Sequence, residues 1–472
     1  MGHTLIALLV QRLVFFYFIG INLGYFALNL ISTVAILRYT RAHVLNKLPS
    51  AYSSFEMPIS LLVPAYCEEA NVVESLHSLL QLSYSEYEIV VVNDGSKDRT
   101  LEVLKAEFRL VRTAEMVPGR LQTKPVRGVY LSPDYPNLRV IDKVNGGKAD
   151  ALNVGINYAR YPLFCSIDAD SMLQRDSLQL LVQPFLEDPK TVAAGGMVRV
   201  ANGCRVQGGF LVQSGLPRNL LALFQIVEYL RAFLFGRMGW SPMNAVLIIS
   251  GAFGLFRKES VIAAGGYRHG TIGEDMELVV RLHRTLREAG TPYRITFVPD
   301  PVCWTEAPED WKTLQNQRIR WHQGLSQSLS LNWKLLFHPR GGAAGWVAFP
   351  FMVVFEWLNP VIEVAGSVFM VWAAVCGYVS LPALVLFLFA AVGVGVVLSL
   401  NALLLEEMTF HAYPKLRQIL MLFVVVLAEN FGYRQINAYW RLIGLWRFAA
   451  RREAKWGEMR RTASWHQPAR IE

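Results

Sequence analysis

The feature that most restricts the fold is a run of 25 residues, Leu13–Leu37, that contains no charged side chain. At about 1.5 Å per residue, a helix of this length can cross a hydrocarbon core roughly 30 Å thick. The basic residues Arg38, Arg41 and Lys47 follow it closely, as is typical of the cytoplasmic side of a membrane helix. The sequence therefore predicts an N-terminal transmembrane helix followed by a cytoplasmic segment; a cleaved signal peptide is the alternative.

A second apolar region begins after residue 340 and has three parts. Trp346–Val375 predicts a span that is kinked around Pro360, and Leu384–Leu405 predicts a further span. Ile419–Ala428 is a weaker apolar segment that leads toward a basic tail over residues 447–472. A cytoplasmic tail requires an even number of crossings here. Either the weak segment is re-entrant or interfacial, or the kink at Pro360 divides the first span into two crossings, and both alternatives stay open.

Two acidic residues, Glu356 and Glu363, interrupt this apolar region. They are seven residues apart, so on a helix they would share one face. Charges at such a depth are costly and usually face a partner or a polar path. Pairing with Arg434 or another cation and lining of a polar path therefore remain equal alternatives.

Residues 48–340 have the composition of a soluble α/β domain. Short β-branched runs alternate with helical patterns, which predicts a mostly parallel sheet with helices on both faces. Residues 111–137 contain four prolines and predict an irregular insertion. The predicted strands are Ser60–Val63, Glu88–Val92, Arg139–Asp142 and Leu163–Ile167.

The net charge of +9 accompanies a composition that is 53% apolar and only 18% charged. Basic flanks of a membrane explain this charge, and a polyanionic substrate is the alternative. Binding of nucleic acid is not expected, because no recognised motif accompanies the charge. The five cysteines form no CxxC pair, which favours free thiols in a reducing compartment. A basic cluster follows the last apolar segment, at Arg451, Arg452, Lys455, Arg460 and Arg461.

Polar loops follow the first two predicted strands, at the edge where open parallel sheets bind ligands. The loop that starts at Pro64 contains Tyr66 and Glu68, and the next loop contains Asp94 before Gly95. Asp94 has the chemistry to accept hydrogen bonds from a base or a ribose. The alternative is an ordinary Asp-Gly turn without a ligand.

Two further loops point to an anionic ligand. A glycine pair places Lys148 close to the predicted start of a helix near Ala151, where anions are favoured; a solvated lysine is the alternative. Asp168 and Asp170 follow a buried strand, and in an extended chain they would lie on one side. Two such carboxylates repel unless a cation lies between them. Mg²⁺ or Mn²⁺, shared with substrate phosphates, fits this requirement.

Downstream, Glu274 and Asp275 open a helical pattern. Asp275 is the candidate general base, and the alternative is that these carboxylates merely favour a helix start. Gln317, Arg320 and Trp321 share one face of a later helix. Arg320 suits a diphosphate and Trp321 a sugar ring, although an amphipathic helix on a membrane surface would also combine them.

Six motifs stand in this order: the loops that begin at Pro64 and Asp94, the glycine pair before Lys148, the Asp168–Asp170 segment, the Glu274–Asp275 pair and the Gln317–Trp321 set. Together they resemble family 2 of the inverting glycosyltransferases. More narrowly, they are similar to its membrane-integrated branch, which contains cellulose, chitin, hyaluronan and poly-N-acetylglucosamine synthases. The resemblance covers residues 58–324, and the compact layout is most similar to the last of these. It implies an α/β GT-A catalytic domain, Rossmann-like, with α-helical transmembrane segments, a UDP-sugar donor and a divalent metal.

The resemblance also implies a single displacement, in which a carboxylate deprotonates the acceptor hydroxyl and UDP departs with inversion. The implied roles are nucleotide binding by Pro64, Tyr66, Glu68 and Asp94, diphosphate binding by Lys148, donor and metal binding by Asp168 and Asp170, proton abstraction by Asp275 beside Glu274, and acceptor and diphosphate binding by Gln317, Arg320 and Trp321.

The expected function is transfer to a growing β-linked polysaccharide, processive and coupled to export, with an export partner protein as a further expectation. The alternatives are transfer of one sugar to a membrane lipid, and a transporter or scaffold with a degenerate catalytic domain. The expected location is the inner (plasma) membrane, with the catalytic domain in the cytoplasm. The expected division is 1–47 (membrane helix and basic flank), 48–340 (catalytic domain with interfacial helices), 341–446 (membrane region) and 447–472 (tail).

Overall fold

The computed structural model describes residues 2–45, 57–115, 119–207 and 210–452. The chain begins with helix α1 (Gly2–Leu45), within which Leu9–Arg41 is long and apolar enough to cross a membrane. The predicted N-terminal apolar helix is therefore present. Lys47 of its predicted basic flank lies outside the described residues.

The domain that follows is built on twelve described strands. Ten of them form one sheet, and two form a separate hairpin. Their bounds are β1 (Ile59–Ala65), β2 (Tyr87–Asn93), β3 (Val111–Thr113), β4 (Val126–Leu131), β5 (Leu138–Lys143), β6 (Leu163–Ile167), β7 (Met172–Leu173), β8 (Thr191–Val200), β9 (Arg205–Gln207), β10 (Phe210–Gln213), β11 (Phe253–Arg257) and β12 (Arg294–Thr305). The sheet order is β3-β4-β5-β2-β1-β6-β11-β8-β12-β7, and the hairpin pairs β10 with β9.

The centre of the sheet confirms the four predicted strands, each within two residues of its predicted bounds. The sheet as a whole is mixed rather than mostly parallel as predicted, because β3, β4, β7 and β11 pair antiparallel with their neighbours. β5, β2, β1 and β6 are neighbours, and each pair is parallel. Their side chains are almost all buried, as expected for strands that are covered on both faces. Because the strands are parallel, the loops that follow β1, β2, β5 and β6 all lie at one edge.

The predicted irregular insertion at residues 111–137 is wrong for residues 111–113 and 126–131, which form β3 and β4, whereas the described residues 114–115 and 119–125 belong to no strand or helix. β3 and β4 pair antiparallel, and β4 continues the sheet by pairing antiparallel with β5. The prolines that suggested irregular structure do not interrupt these strands: Pro125 immediately precedes β4, and Pro133 and Pro136 follow it. Proline is tolerated at such positions, where no ladder hydrogen bond is lost.

Helices cover both faces of the sheet. A π-helical segment, Arg231–Arg237, continues directly from the sixth helix. The bounds are α2 (Val72–Leu79), α3 (Thr100–Glu107), α4 (Lys148–Tyr158), α5 (Ser177–Glu187), α6 (Leu220–Leu230), α7 (Met238–Trp240), α8 (Lys258–Ala263), α9 (Glu274–Glu288) and α10 (Trp311–Leu331).

The C-terminal region is helical and contains two sharp bends. Ala344–Trp357 and Asn359–Val375 meet at 43°, which matches the kink predicted around Pro360, and Leu416–Ala428 and Tyr433–Ala449 meet at 58°. When each bent pair is counted as one span, the described residues hold three helices that are long and apolar enough to cross a membrane. The predicted span Leu384–Leu405 lies within a helical run that contains π-helical residues 389–393. The bounds are α11 (Phe349–Phe351), α12 (Asn359–Val375), α13 (Leu381–Leu388), α14 (Val394–Thr409), α15 (Leu416–Ala428) and α16 (Tyr433–Ala449).

The α/β domain packs directly on these C-terminal helices. α10 lies along α16, where Trp311 contacts Trp440 with ring centroids 5.7 Å apart. A buried ion pair between Arg199 of β8 and Glu406 of α14, at 2.5 Å, ties the sheet to the same group. Contacts from both α10 and β8 therefore fix the α/β domain against the C-terminal helices. Of the predicted basic tail, residues 453–472 lie outside the described residues.

Candidate active site

A cavity of about 1410 Å³ lies at the edge where the parallel strands end and continues to the C-terminal helices. Residues far apart in the sequence line it, because the loops after β1, β2, β5 and β6 and the starts of α4 and α9 meet there. Every residue that the sequence predicted for the site is in this lining. They are Pro64, Tyr66, Glu68, Asp94, Lys148, Asp168, Asp170, Glu274, Asp275, Gln317, Arg320 and Trp321.

Lys148 is the first residue of α4 and places its ammonium group beside the carboxylates of the site. Gly147 precedes it with φ +89, a backbone conformation that L side chains rarely adopt. The Lys148 ammonium lies 2.6 Å from Oδ1 of Asp168 and 3.4 Å from Oε1 of Glu274. Burial lowers the pKa of Lys148, but Asp168 and then Glu274 raise it more strongly, so it stays above its ordinary value. The lysine remains charged and faces two carboxylates.

Glu274 and Asp275 form the first turn of α9, as the sequence predicted. Burial raises the pKa of Glu274 above its ordinary value, and this effect outweighs the opposing influence of Lys148. Asp275 is held by backbone amides, since Gly251 donates to its Oδ2 at 3.0 Å and Met276 to its Oδ1 at 2.8 Å. The two neighbouring carboxyl groups therefore have different environments, and that of Asp275 has a fixed orientation.

Gly251 allows the close approach that this arrangement requires. A Cβ atom at residue 251 would lie 3.1 Å from Nζ of Lys148 and 3.4 Å from Cβ of Asp275. The first distance is tighter than most real Cβ contacts, so the lysine would have to shift. A glycine here lets the amide reach Asp275 while Lys148 stays beside the carboxylates.

Asp94 supports the glycine loop before α4. Its Oδ1 accepts a hydrogen bond from the Gly146 amide at 2.9 Å, and its Oδ2 accepts one from the Gly147 amide at 2.7 Å. The buried ammonium of Lys143 lies 2.5 Å from Asp94 and 2.6 Å from Asp150. Binding of a uracil by Asp94 stays a prediction, because both carboxylate oxygens already hold the loop.

Sequence reasoning missed Lys143. Its side chain is fully buried at the end of β5, between two aspartates that stand 49 positions before it and 7 after it. The available signal was a lysine directly after the run Arg139–Asp142, which the sequence already predicted as a strand. A buried lysine requires partners, and the two aspartates supply them.

The segment of Asp168 and Asp170 is not extended, so the predicted geometry of this pair is wrong. The Ser171 amide donates to the Asp168 carbonyl at 2.9 Å, which closes a turn directly after β6. Both aspartates nevertheless line the cavity. The backbone hydrogen bond of this turn therefore brings both aspartates to the cavity, and the alternation of side chains along a strand does not.

These two carboxylates suit a divalent metal that substrate phosphates complete. Among the described residues, no group of three or more His, Cys, Asp and Glu side chains gathers to hold a metal by itself. Mg²⁺ typically binds through one or two carboxylates, waters and substrate phosphates, so a larger protein cage is not required. Asp170 is 8% exposed at the cavity wall and provides an oxygen ligand of the right type.

Helix α10 carries the predicted set Gln317, Arg320 and Trp321. Asp310 caps the helix by accepting a hydrogen bond from the Thr313 amide at 2.9 Å. Gln317 is 7% exposed and Trp321 is 45% exposed. All three residues therefore line the cavity from one helix, and the Trp321 indole ring offers the accessible apolar surface.

A 43° bend between Trp357 and Asn359 separates Glu356 from Glu363, so the two residues lie on successive helical segments rather than on one straight helix. Glu356 pairs with Arg441 at 2.9 Å rather than with Arg434. Glu363 accepts a hydrogen bond from the Asn359 amide group at 2.8 Å. Both glutamates and both arginines line the cavity, and the lining of a polar path stays a prediction.

Arg237 is a second residue that sequence reasoning missed. It lines the cavity at the end of the π-helical segment, with its guanidinium 3.6 Å from the Phe233 ring centroid. Within the described part of the chain, its buried Nε and Nη1 atoms have no hydrogen-bond partner. Burial lowers the pKa of Arg237 to about 10, although Asp275 opposes this.

Two family models match the chain: Glycosyl transferase family 2 over residues 60–260, and Glycosyl transferase family group 2 over residues 163–400. The second match covers 238 of 472 residues, about half of the chain. The protein therefore belongs to the family 2 glycosyltransferases, which confirms the resemblance seen in its motifs and the class of enzyme.

Similar proteins agree with this assignment. The chain is 30% identical over 282 residues to the poly-beta-1,6-N-acetyl-D-glucosamine synthase of Staphylococcus aureus (strain COL), which is 59% of this chain and 57% of that protein. It is 30% identical over 267 residues to the protein of the same name from Staphylococcus epidermidis, which is 56% of this chain and 54% of that protein. The chain thus matches little more than half the length of these relatives.

Among solved structures, a mannosyltransferase from Pyrobaculum calidifontis, in complex with GDP-Man and Mn²⁺, shares the fold. The TM-score is 0.53 at 20% sequence identity, and the match covers 92% of this chain and 100% of that chain. At this level of identity the likeness concerns architecture alone. It confirms the predicted GT-A domain.

Proposed function

We propose that the protein transfers a sugar from a UDP-sugar to a growing β-linked polysaccharide, and that the product leaves along the membrane helices. The observation that carries this proposal is the continuity of one cavity. It is lined by Lys148 and Asp275 at the sheet edge, by Trp321 on α10, and by Glu356 and Glu363 among the C-terminal helices. A site for one sugar and one nucleotide would not require the last part.

The proposed donor is UDP-N-acetylglucosamine. Support comes from the relatives at 30% identity, which are named as synthases of a polymer of N-acetyl-D-glucosamine. The nucleotide would bind at the loops after β1 and β2, against Pro64, Tyr66, Glu68 and Asp94. Lys148 and Arg320 would face the diphosphate, because guanidinium and ammonium groups are the usual partners of phosphate.

In the proposed reaction, the Asp275 carboxylate takes the proton of the acceptor hydroxyl. The hydroxyl oxygen forms a bond to the anomeric carbon as the bond to UDP breaks, so one displacement inverts the configuration. The Gly251 amide holds Asp275 in a fixed orientation, and such orientation is an important source of rate enhancement. Buried Glu274, beside Lys148, would keep the ammonium directed at the diphosphate.

Asp170 and Asp168 would hold the divalent metal at the turn after β6. When bound, Mg²⁺ or Mn²⁺ would neutralise the diphosphate and improve UDP as a leaving group. Lys148, now 2.6 Å from Asp168, would share that carboxylate with the metal. Chelation should therefore abolish transfer, and added Mn²⁺ or Mg²⁺ should restore it.

The proposed location is the inner (plasma) membrane, with the α/β domain in the cytoplasm and the product chain exported. The polar lining among the helices supports an export path, since Glu356 is neutralised by Arg441 and Glu363 is hydrogen-bonded to Asn359. Arg434 and Arg441 balance the charges of the two glutamates in the lining, and a lining with balanced charges and many hydrogen-bonding groups suits a sugar chain. An export partner protein belongs to the same proposal.

A panel of UDP-sugars with the purified full-length protein tests this function. UDP release and product size, by gel and mass spectrometry, are the measurements. We expect release with UDP-N-acetylglucosamine and a product of many sugars. A product that carries one sugar on a lipid would replace the polymer proposal with glycolipid synthesis, and no UDP release with any donor would remove both.

A further inference from the structure

Glu228, near the end of α6, collects hydrogen bonds from two other helices at the cavity wall. Its Oε2 accepts one from Nη2 of Arg318 at 2.6 Å and one from the Tyr433 hydroxyl at 2.9 Å. Its Oε1 accepts one from Nδ2 of Asn437 at 2.9 Å. One carboxylate therefore joins α6, α10 and α16.

Arg318 links Glu228 to Trp321, the residue predicted to bind the acceptor sugar. Its guanidinium lies 4.5 Å from the centroid of the Trp321 ring, three residues further along α10. A guanidinium over an indole face is attractive, and one side of the ring is thereby fixed. The ring is 45% exposed and lines the cavity, so it still presents apolar surface there.

The environment of this pair makes the geometry rigid. The side chains of Arg318 and Glu228 are 8% and 15% exposed. Phe224, one turn before Glu228 on α6, stacks on Tyr433 with ring centroids 4.6 Å apart. Because the charges are shielded from water and packed between rings, removal of one partner would leave an unpaired buried charge.

We infer that Glu228 is a positioning residue, which fixes the Trp321 ring at the acceptor end of the cavity through Arg318. This inference rests on the proposed function, in which Trp321 contacts the acceptor sugar. Tyr433 and Asn437 stand in the first two turns of α16, directly after the 58° bend. The same carboxylate therefore sets the acceptor platform relative to the C-terminal helices.

The test compares Glu228→Gln, Arg318→Met and the double variant in the purified full-length protein. The KM for a short N-acetylglucosamine oligosaccharide, the KM for UDP-N-acetylglucosamine and the midpoint of thermal unfolding are measured for each. We expect both single variants to raise the acceptor KM about tenfold, which corresponds to about 1.4 kcal/mol. The KM for the donor should change less than twofold, because the donor loops are untouched.

The double variant separates positioning from stability. Without either charge, its unfolding midpoint should return toward the wild-type value, while the acceptor KM stays raised because no guanidinium lies over Trp321. The double variant also keeps the test available if Glu228→Gln does not fold. Recovery of the acceptor KM in the double variant, or a parallel rise of the donor KM, would overturn the inference.

Glu259→Gln is the matched control. It breaks a Glu–Arg pair of similar length, 2.6 Å to Arg120, whose side chains are 62% and 52% exposed. Exposed pairs contribute little, so neither KM should change. If the wild-type protein shows no transfer that depends on the oligosaccharide, the proposed function itself fails; if it does and the variants keep its acceptor KM, only the role of Glu228 fails.

Discussion

Nζ of Lys148 lies 2.6 Å from Oδ1 of Asp168, and this contact joins the start of α4 to the turn after β6. An ammonium group thereby occupies the space where two aspartates and a buried glutamate converge. The contact raises the pKa of Lys148 and keeps it charged. When a diphosphate binds, its oxygens would replace part of the lysine's contacts with the carboxylates. We regard it as the electrostatic centre of the site.

Lys148→Met should weaken UDP binding about tenfold or more and abolish measurable transfer. Without the ammonium, Asp168 and Glu274 would present uncompensated negative charge to the diphosphate. UDP affinity by calorimetry and UDP release measure the two effects. Lys105→Met is the control, since Lys105 lies over the Tyr130 ring at 4.6 Å, outside the cavity lining. Unchanged UDP affinity in the Lys148 variant would contradict the assignment.

Gly251→Ala should lower the turnover number about tenfold to a hundredfold without unfolding the protein. The added methyl group would stand 3.1 Å from Nζ of Lys148 and displace the groups that orient the reaction. Steady-state kinetics and the unfolding midpoint distinguish loss of geometry from loss of fold. Gly119→Ala is the control, because its nearest contact would be an ordinary 3.6 Å. A wild-type turnover number in the Gly251 variant would show that this close approach is unimportant.

Lys143→Met should destabilise the domain and raise the KM for the donor. Removal of a fully buried ammonium leaves Asp94 and Asp150 without their cation, at a cost of about 3–5 kcal/mol. The glycine loop that Asp94 holds would then loosen before Lys148. Thermal unfolding and the donor KM are the measurements, and exposed Lys190→Met is the control. A donor KM equal to that of wild type would separate Lys143 from the nucleotide site.

The stability of the α9 region should fall as the pH falls from about 6.5 to about 4. His283 lies buried between the Tyr293 hydroxyl, at 2.5 Å, and the Val246 carbonyl, at 2.9 Å, and burial lowers its pKa to about 4. The unfolded chain takes up a proton near pH 6.5 and the folded one only near pH 4. The difference amounts to about 3 kcal/mol, fully present above pH 6.5 and lost below the lower value.

The unfolding midpoint between pH 4.5 and 7.5 measures this effect, with His283→Gln as the comparison. Glutamine does not titrate in this range, so the slope of the midpoint against pH should become shallower in the variant. An identical slope in both proteins would show that His283 is not the titrating group.

The parallel centre of the fold was predictable because its strands are short, apolar and β-branched. The meeting of Asp94 and Asp168 in one cavity was predictable because polar loops follow the parallel strands at one edge, and Asp275 joins them from the start of α9. The antiparallel edge at residues 111–137 was not predictable, since prolines beside a strand resemble prolines in a loop. Their effect depends on which backbone groups are paired, and the sequence does not show this.

Contacts between residues far apart in the sequence could not be predicted either. Lys143 has partners at Asp94 and Asp150, and Glu228 has partners on α10 and α16, so neither role follows from local spacing. Glu356 pairs with Arg441, which is one of the other cations that the sequence had left open beside Arg434.

The most direct test of the central claim is the effect of Asp275→Asn on transfer and on UDP binding in the same preparation. Asparagine retains the shape and can still accept from the Gly251 amide, but it cannot take a proton. We predict that transfer from UDP-N-acetylglucosamine falls by about 10²–10⁴-fold, while the dissociation constant for UDP stays within about twofold of wild type. Retained transfer, or a loss of UDP binding that parallels the loss of transfer, would contradict the role of Asp275 as the base.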